Sequence, residues 1–165
     1  MYTILENSTY ELVEQKSKFI ANLIYIESKE EAESIIKKYK KRFHDARHNC
    51  YAYRVFDENE IYEKSSDDGE PSGTAGAPML NLLQKNDLCN VIIIVTRYFG
   101  GILLGTGGLV RAYSGATIGA IDNCKKAKIE QGTGLQIEVD YPNFQTLQYY
   151  CNKNNITIKN CEYNE

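Results

Sequence analysis

Three acids stand within four residues at Asp67, Asp68 and Glu70, and a run of turn-forming residues follows them, DDGEPSGTAGAPML. Carboxylates this close can hold a hard cation against substrate phosphates. They can equally pair with Arg97 or Arg111 or cap the helix that follows, and pairing or capping is the favoured reading because no fourth ligand stands at a telling spacing. Ser72, Gly73, Thr74 and Gly76 carry the run to a predicted helix start. A second glycine-rich join, RYFGGILLGTGG, holds Gly100, Gly101, Gly105, Gly107 and Gly108. Backbone N–H groups at a helix start are free and carry a partial positive charge, which suits an anion. Glycine lets a ligand approach them and permits the positive φ of an anion nest. Arg97 ends the strand before the second join, and Arg111 falls in the first turn of the helix after it. Two guanidinium groups beside such a loop could grip a phosphate bidentately. Tight turns are the favoured reading of such glycines, and neither join matches G-x-x-x-x-G-K-S/T or G-x-G-x-x-G. The run 65–76 exceeds the ~4–6 residues of a plain connection, which leaves a binding loop or an unusual structural join.

Other candidate groups have bland alternatives. His48 and Cys50 are two apart on a predicted strand, so they share a face. Same-face neighbours stand ~6.5–7 Å apart by the strand rise, whereas a nucleophile and its base need ~2.6–3.2 Å. A buried structural cysteine is the favoured reading. The basic run KKYKKR (37–42) closes a helix that opens with Glu30, Glu31 and Glu33. Acid first and base last complements the macrodipole, so a solvated face is favoured over a nucleic-acid patch. TRYFGG sets Arg97, Tyr98 and Phe99 together at a strand end, where they could stack bases, anchor a protein partner or pack in the core. No nucleophile, general base or complete ligand set stands at catalytic spacing. No catalytic residue, metal site or cofactor is therefore expected.

The elements that must position these residues are legible in outline. Residues 10–28 are apolar and β-rich and read as one long or two short strands. Ser28 and Glu31 form a capping box, and Ala32, Ile35, Ile36, Tyr39 and Phe43 recur at helical spacing, so 30–43 is predicted helical. NCYAYRVF (49–56) alternates, and with the turn and IYEK behind it reads as a hairpin. A short helix is predicted over 77–84, with Pro78 in its first turn. NVIIIVT (90–96) is a continuous apolar run, the mark of a strand covered on both faces or central in a sheet. From Leu109, the residues Tyr113, Ala116, Thr117, Ala120, Ile121 and Cys124 form one helical stripe. EQGTG (130–134) reads as a linker. Beyond it, 135–140 and 156–163 read as strands flanking a helix that starts at Pro142, a βαβ unit without further partner strands.

Composition sets the bounds. The chain has 165 residues, 42% of them hydrophobic, and a net charge of −3. No global positive field draws it to nucleic acid or anionic lipid, so such binding needs a local patch. No apolar run reaches membrane-spanning length, and the first fifteen residues lack a signal-peptide pattern. Five cysteines, odd in number and without a Cys-x-x-Cys pair, argue for free thiols in a reducing cytosol.

DDGEPSGTAGAPML and NVIIIVTRYFGGILLGTGGLVRAYSGAT, with HNCYAY (48–53), closely resemble the signature of the IMPACT family, whose bacterial members are the YigZ-like proteins. The resemblance implies an α+β N-terminal domain over 1–130 of the ribosomal-protein domain 2-like type, a mixed sheet with helices on one face. It implies a partial ferredoxin-like C-terminal domain over 135–165. It also implies a regulator of translation, since eukaryotic members bind a large activator of a stress kinase that controls initiation. The expectation is a cytoplasmic, non-catalytic binding protein whose partner is RNA, a ribosome-associated factor or another protein. Its surface site would comprise Asp67, Asp68, Glu70, Ser72, Gly73, Thr74, Gly76, Arg97, Tyr98, Phe99, Gly100, Gly101, Gly105, Gly107, Gly108 and Arg111. The alternative is an enzyme or sensor that binds a phosphorylated small molecule at the glycine-rich loops.

Overall fold

The computed structural model describes residues 1–57, 60–130 and 132–163. The chain divides into two units, Met1–Glu130 and Gln131–Glu165.

In the first unit, β2 (Ser8–Glu14) and β3 (Ser17–Tyr25) form a hairpin. Residues 10–28 are thus two strands. Their turn residues Gln15 and Lys16 both have positive φ, 43° and 65°, the pattern of a two-residue turn whose twist matches the flanking strands. Helix α1 (Lys29–Arg42) follows. Ser28 Oγ accepts the Glu31 N–H at 3.1 Å, while Glu31 Oε2 accepts the N–H of Glu27 rather than that of Ser28. A second hairpin joins β4 (His48–Asp57) to β5 (Glu60–Ser66). Helix α2 (Gly76–Lys85), strand β6 (Val91–Tyr98) and helix α3 (Gly105–Asp122) come next. A small sheet pairs β1 (Tyr2–Ile4) with β7 (Lys126–Lys128).

The main sheet has the order β2-β3-β6-β4-β5, and every neighbouring pair is antiparallel. This corrects the expectation of a mixed sheet with helices on one face. Strands β4 and β6 are apolar on both faces, so each face needs its own cover. Cys50, Ala52, Ile93 and Val95 pack beneath α2 and α3 with Met79, Leu83, Ala112 and Tyr113. Tyr51, Tyr53, Ile92 and Ile94 pack on the other face against Ala32 and Ile36 of α1. The run at 91–95 is fully buried, as its composition demands.

Helix α3 begins four residues earlier than the Leu109 stripe predicts. Gly105, Gly107 and Gly108 therefore lie in its first turn, not before it, and Arg111 sits in the second turn. Glycine is a poor helix former, but here packing of Gly108 and Leu109 overrides propensity: both are buried.

The second unit holds one helix, α4 (Tyr141–Lys153), with proline in its first turn and Cys151 buried. The strands expected over 135–140 and 156–163 do not form. A strand without a partner leaves its backbone groups unpaired. Instead Tyr163 stacks on Tyr141 at 6.0 Å and meets Phe144 edge-on. All five cysteines are free. No helix among the described residues is long and apolar enough to cross a membrane.

Candidate functional site: one end of the sheet

Antiparallel pairing brings the end of β6 beside the start of β4 and the turn of the β2–β3 hairpin, with His48 opposite Arg97 and Lys18 opposite Tyr98. The two glycine-rich joins leave the sheet at this same end.

The first join begins at Asp67, since Ser65 and Ser66 belong to β5. Asp68 (φ 43°) and Gly69 (φ 87°) turn the chain in the left-handed region, and the Glu70 N–H bonds the Asp67 carbonyl at 2.9 Å. The three acids then face three different ways. Asp67 accepts the N–H groups of Gly73, Ala75 and Gly76 at 2.8–2.9 Å. Burial works to raise its pKa, but these three donors outweigh it and hold the carboxyl below its ordinary value. The anion nest at the start of α2 is real, and its occupant is a side chain of the same loop. Asp68 pairs with Lys40 of α1 and accepts the Asn49 N–H at 2.7 Å. Glu70 turns into the core, where its Oε1 takes the Arg97 guanidinium at 2.6 Å and the Tyr113 O–H at 2.8 Å.

Around Glu70 lies a buried polar cluster. His48 Nδ1 stands 2.9 Å from the Asp68 carbonyl oxygen, which fixes the proton on Nδ1. Its Nε2 lies 3.9 Å from Glu70 Oε2. Cys50 Sγ lies 2.9 Å from the Asp67 carbonyl and 3.3 Å from the Tyr113 hydroxyl. Burial pushes the Cys50 thiol up to about 12 and raises the Tyr113 phenol as well. Both stay protonated at neutral pH, so neither is an activated nucleophile. The same-face geometry at His48 and Cys50 thus serves loop anchoring: each grips the backbone of the acidic run.

Arg97 is not open to a ligand. It is buried, its Nη2 reaches Ser17 Oγ at 3.5 Å, and its guanidinium sits against the rings of Phe19 and Phe99. Arg111 is exposed, and among the described residues the two arginines share no partner. The two-arginine phosphate grip foreseen from the sequence is therefore not assembled.

The glycines divide by what surrounds them. A Cβ on Gly100 would lie 2.0 Å from the Lys16 backbone, and one on Gly76 would meet the Ser66 backbone. A Cβ on Gly108 would crowd the Leu104 side chain. These three are packing glycines. Gly73, Gly101 and Gly105 have open space and positive φ, and Gly107 has only the Arg111 guanidinium nearby. Thr74 is buried and bonds the Pro71 carbonyl, whereas Ser72 is exposed. Tyr98 donates to Asp45. Phe99 is 42% exposed, and Ile102 and Leu103 beyond it are 41% and 85% exposed.

Tyr113 and Ser17 belong to this cluster and carried no site assignment from sequence. Tyr113 gave a signal: it is the one aromatic with a polar handle on the inward stripe of α3. Ser17 gave none, because its role depends on the hairpin turn meeting Gly100.

The Impact N-terminal domain matches residues 15–121. IMPACT family member YvyE of Bacillus subtilis is 38% identical over 99% of this chain and 75% of its own length. IMPACT family member YigZ of Escherichia coli is 33% identical over 90% of this chain and 74% of its own. A crystal structure described as that of a hypothetical protein superposes with a TM-score of 0.72 at 32% identity, covering 99% of this chain and 80% of that one. The match spans His48, the acidic loop, Arg97 and Tyr113 together, and the chain belongs to the IMPACT family.

Proposed function

We propose that this protein is a cytoplasmic, translation-associated regulatory binding protein of the IMPACT type, and that the end of the sheet bearing the two joins is its binding surface. Residues 1–130 are, in this reading, the family's ribosomal-protein domain 2-like domain. The observation that carries the proposal is the inward turn of the reactive groups. Asp67, Asp68 and Glu70 are each taken up by partners within the fold, and the Cys50 thiol stays protonated. What remains outward is recognition material: open glycines, exposed apolar side chains on the second join, and Arg111. That composition suits binding to a large partner more than group transfer.

Sedimentation of the purified protein with ribosomal fractions on a sucrose gradient tests this. The protein should travel with ribosomal material at low salt and be released as salt rises. A protein that stays at the top of the gradient at low salt overturns the reading.

One observation favours the rival, a phosphorylated small molecule. Arg111 Nη1 lies 3.5 Å from where a Gly107 Cβ would stand, over the first turn of α3. Nucleotides or sugar phosphates would then raise the melting temperature at low concentration, and Arg111→Ala would abolish the shift.

A further inference from the structure

The second join is unusual in what it exposes. Phe99, Ile102 and Leu103 present large apolar side chains on a loop fixed at both ends. Gly100 is locked against Lys16 and Ser17 at one end, and α3 begins at Gly105 at the other. The loop is a pre-positioned apolar tip, and ordering it costs a partner little.

Cations collect at this end of the sheet. The hairpin turn contributes Lys16, the last turn of α1 contributes Lys41 and Arg42, the entry to β4 contributes Arg47, and α3 contributes Arg111. All five are exposed, and none has a carboxylate within salt-bridge distance among the described residues. Against them stand two exposed acids without a cation, Glu14 and Asp45, and the half-buried Asp67 carboxylate on its backbone N–H groups. This end is thus locally basic on a chain whose net charge is −3.

An apolar centre with a polar, charged rim is the anatomy of a protein interface. A nucleic acid would use the cations and stack on Phe99, but the aliphatic Ile102 and Leu103 offer nothing to phosphate or ribose. Resting on the binding reading above, we infer that the tip of the second join docks an acidic protein segment, which seats an apolar anchor on Phe99, Ile102 and Leu103 and sets its carboxylates against the basic rim. The acids of the segment would meet Arg111 and Lys16 first, since these flank the loop directly.

A display library of random peptides panned on the full chain tests the inference. Enriched sequences should carry more Asp and Glu than Lys and Arg, and at least one large apolar residue. Leu103→Asp should weaken the enriched peptides about tenfold or more, a hot-spot loss. Arg111→Glu should weaken them and flatten their salt dependence. Both side chains are exposed, so both variants should melt with the parent protein. The inference is overturned by enrichment of neutral or basic peptides, by no enrichment, or by indifference to Leu103→Asp. Tighter binding of oligouridine or of phosphatidylserine vesicles, lost on the same substitutions, overturns it too. Oligouridine binding would leave the translation reading standing. That reading falls only if the protein also fails to travel with ribosomal fractions.

Discussion

Arg97 Nη1 and Glu70 Oε1 meet at 2.6 Å with both side chains almost fully buried, 7% and 3% exposed. The pair ties the end of the central strand to the acidic loop, 27 residues earlier in the chain. A buried ion pair adds little over a well-packed apolar pair, but losing one partner strands a charge away from water.

Arg97→Met should therefore cost about 3–5 kcal/mol in urea unfolding, because Glu70 is left unpaired. The double variant Arg97→Met, Glu70→Gln should cost less than the single one. Strict additivity of the two substitutions, or no loss for Arg97→Met, would show that the pair is not the anchor described here.

The glycines of the second join should separate by sign. Gly100→Ala forces the Lys16 backbone to move and should destabilise by about 1–3 kcal/mol. Gly101→Ala meets no atom but is strained at φ 85°, and should cost about 1–2 kcal/mol. Gly107 lies in the first turn of α3 with an ordinary φ, and an added Cβ would meet only the Arg111 guanidinium at ordinary contact distance. Gly107→Ala should stabilise by up to about 1 kcal/mol, since alanine is the better helix former. Thermal and urea melts of the three variants check the order, and destabilisation by Gly107→Ala would contradict it.

Thiol reactivity should follow burial. At neutral pH a maleimide should label exposed Cys161 first and leave Cys50 untouched, since burial raises the Cys50 thiol to about 12 and hides it. After denaturation without reductant, all five thiols should react. Rapid labelling of Cys50 in the folded protein, read by peptide mass mapping, would contradict this placement.

How far the sequence reaches is clear from particular residues. Periodicity placed α1, the second hairpin and the buried run at 91–95, because those signals are local. The run at 90–96 allowed for a strand covered on both faces, whereas Tyr51 and Tyr53 read as ordinary alternation, and only their pairing with Ile92 and Ile94 shows that this second face is apolar and occupied. Pairing or capping is the favoured reading of Asp67, Asp68 and Glu70 in the sequence. Glu70 does pair with Arg97, and Asp67 takes the N–H groups at the start of α2. Their clustering along the chain also suggested one surface site, but two left-handed residues send each carboxylate in its own direction. The partners Arg97, Tyr113 and Ser17 come from three other elements, and no local pattern joins them. In the second unit, local β propensity at 135–140 and 156–163 had no partner strand to act on.

Asp67 gives the acidic loop a pH dependence whose sign can be worked out. Its folded pKa lies below the ordinary value, since three backbone N–H groups favour the ionised form against burial. In the unfolded chain the carboxyl returns to about 3.9. A depressed folded pKa contributes stability that is fully present above the unfolded value and is lost as pH falls through the folded one. Asp67→Asn keeps an oxygen acceptor but removes the charge, and a neutral acceptor binds N–H groups more weakly. The variant should be less stable than the parent at pH 7. Below about pH 4 the difference should shrink, because the parent's carboxyl becomes protonated and loses the same advantage. Urea midpoints of both proteins between neutral pH and pH 2 check this. A stability gap that stays constant across the range would mean that Asp67 holds the start of α2 by shape alone, and that the nest does not select for charge.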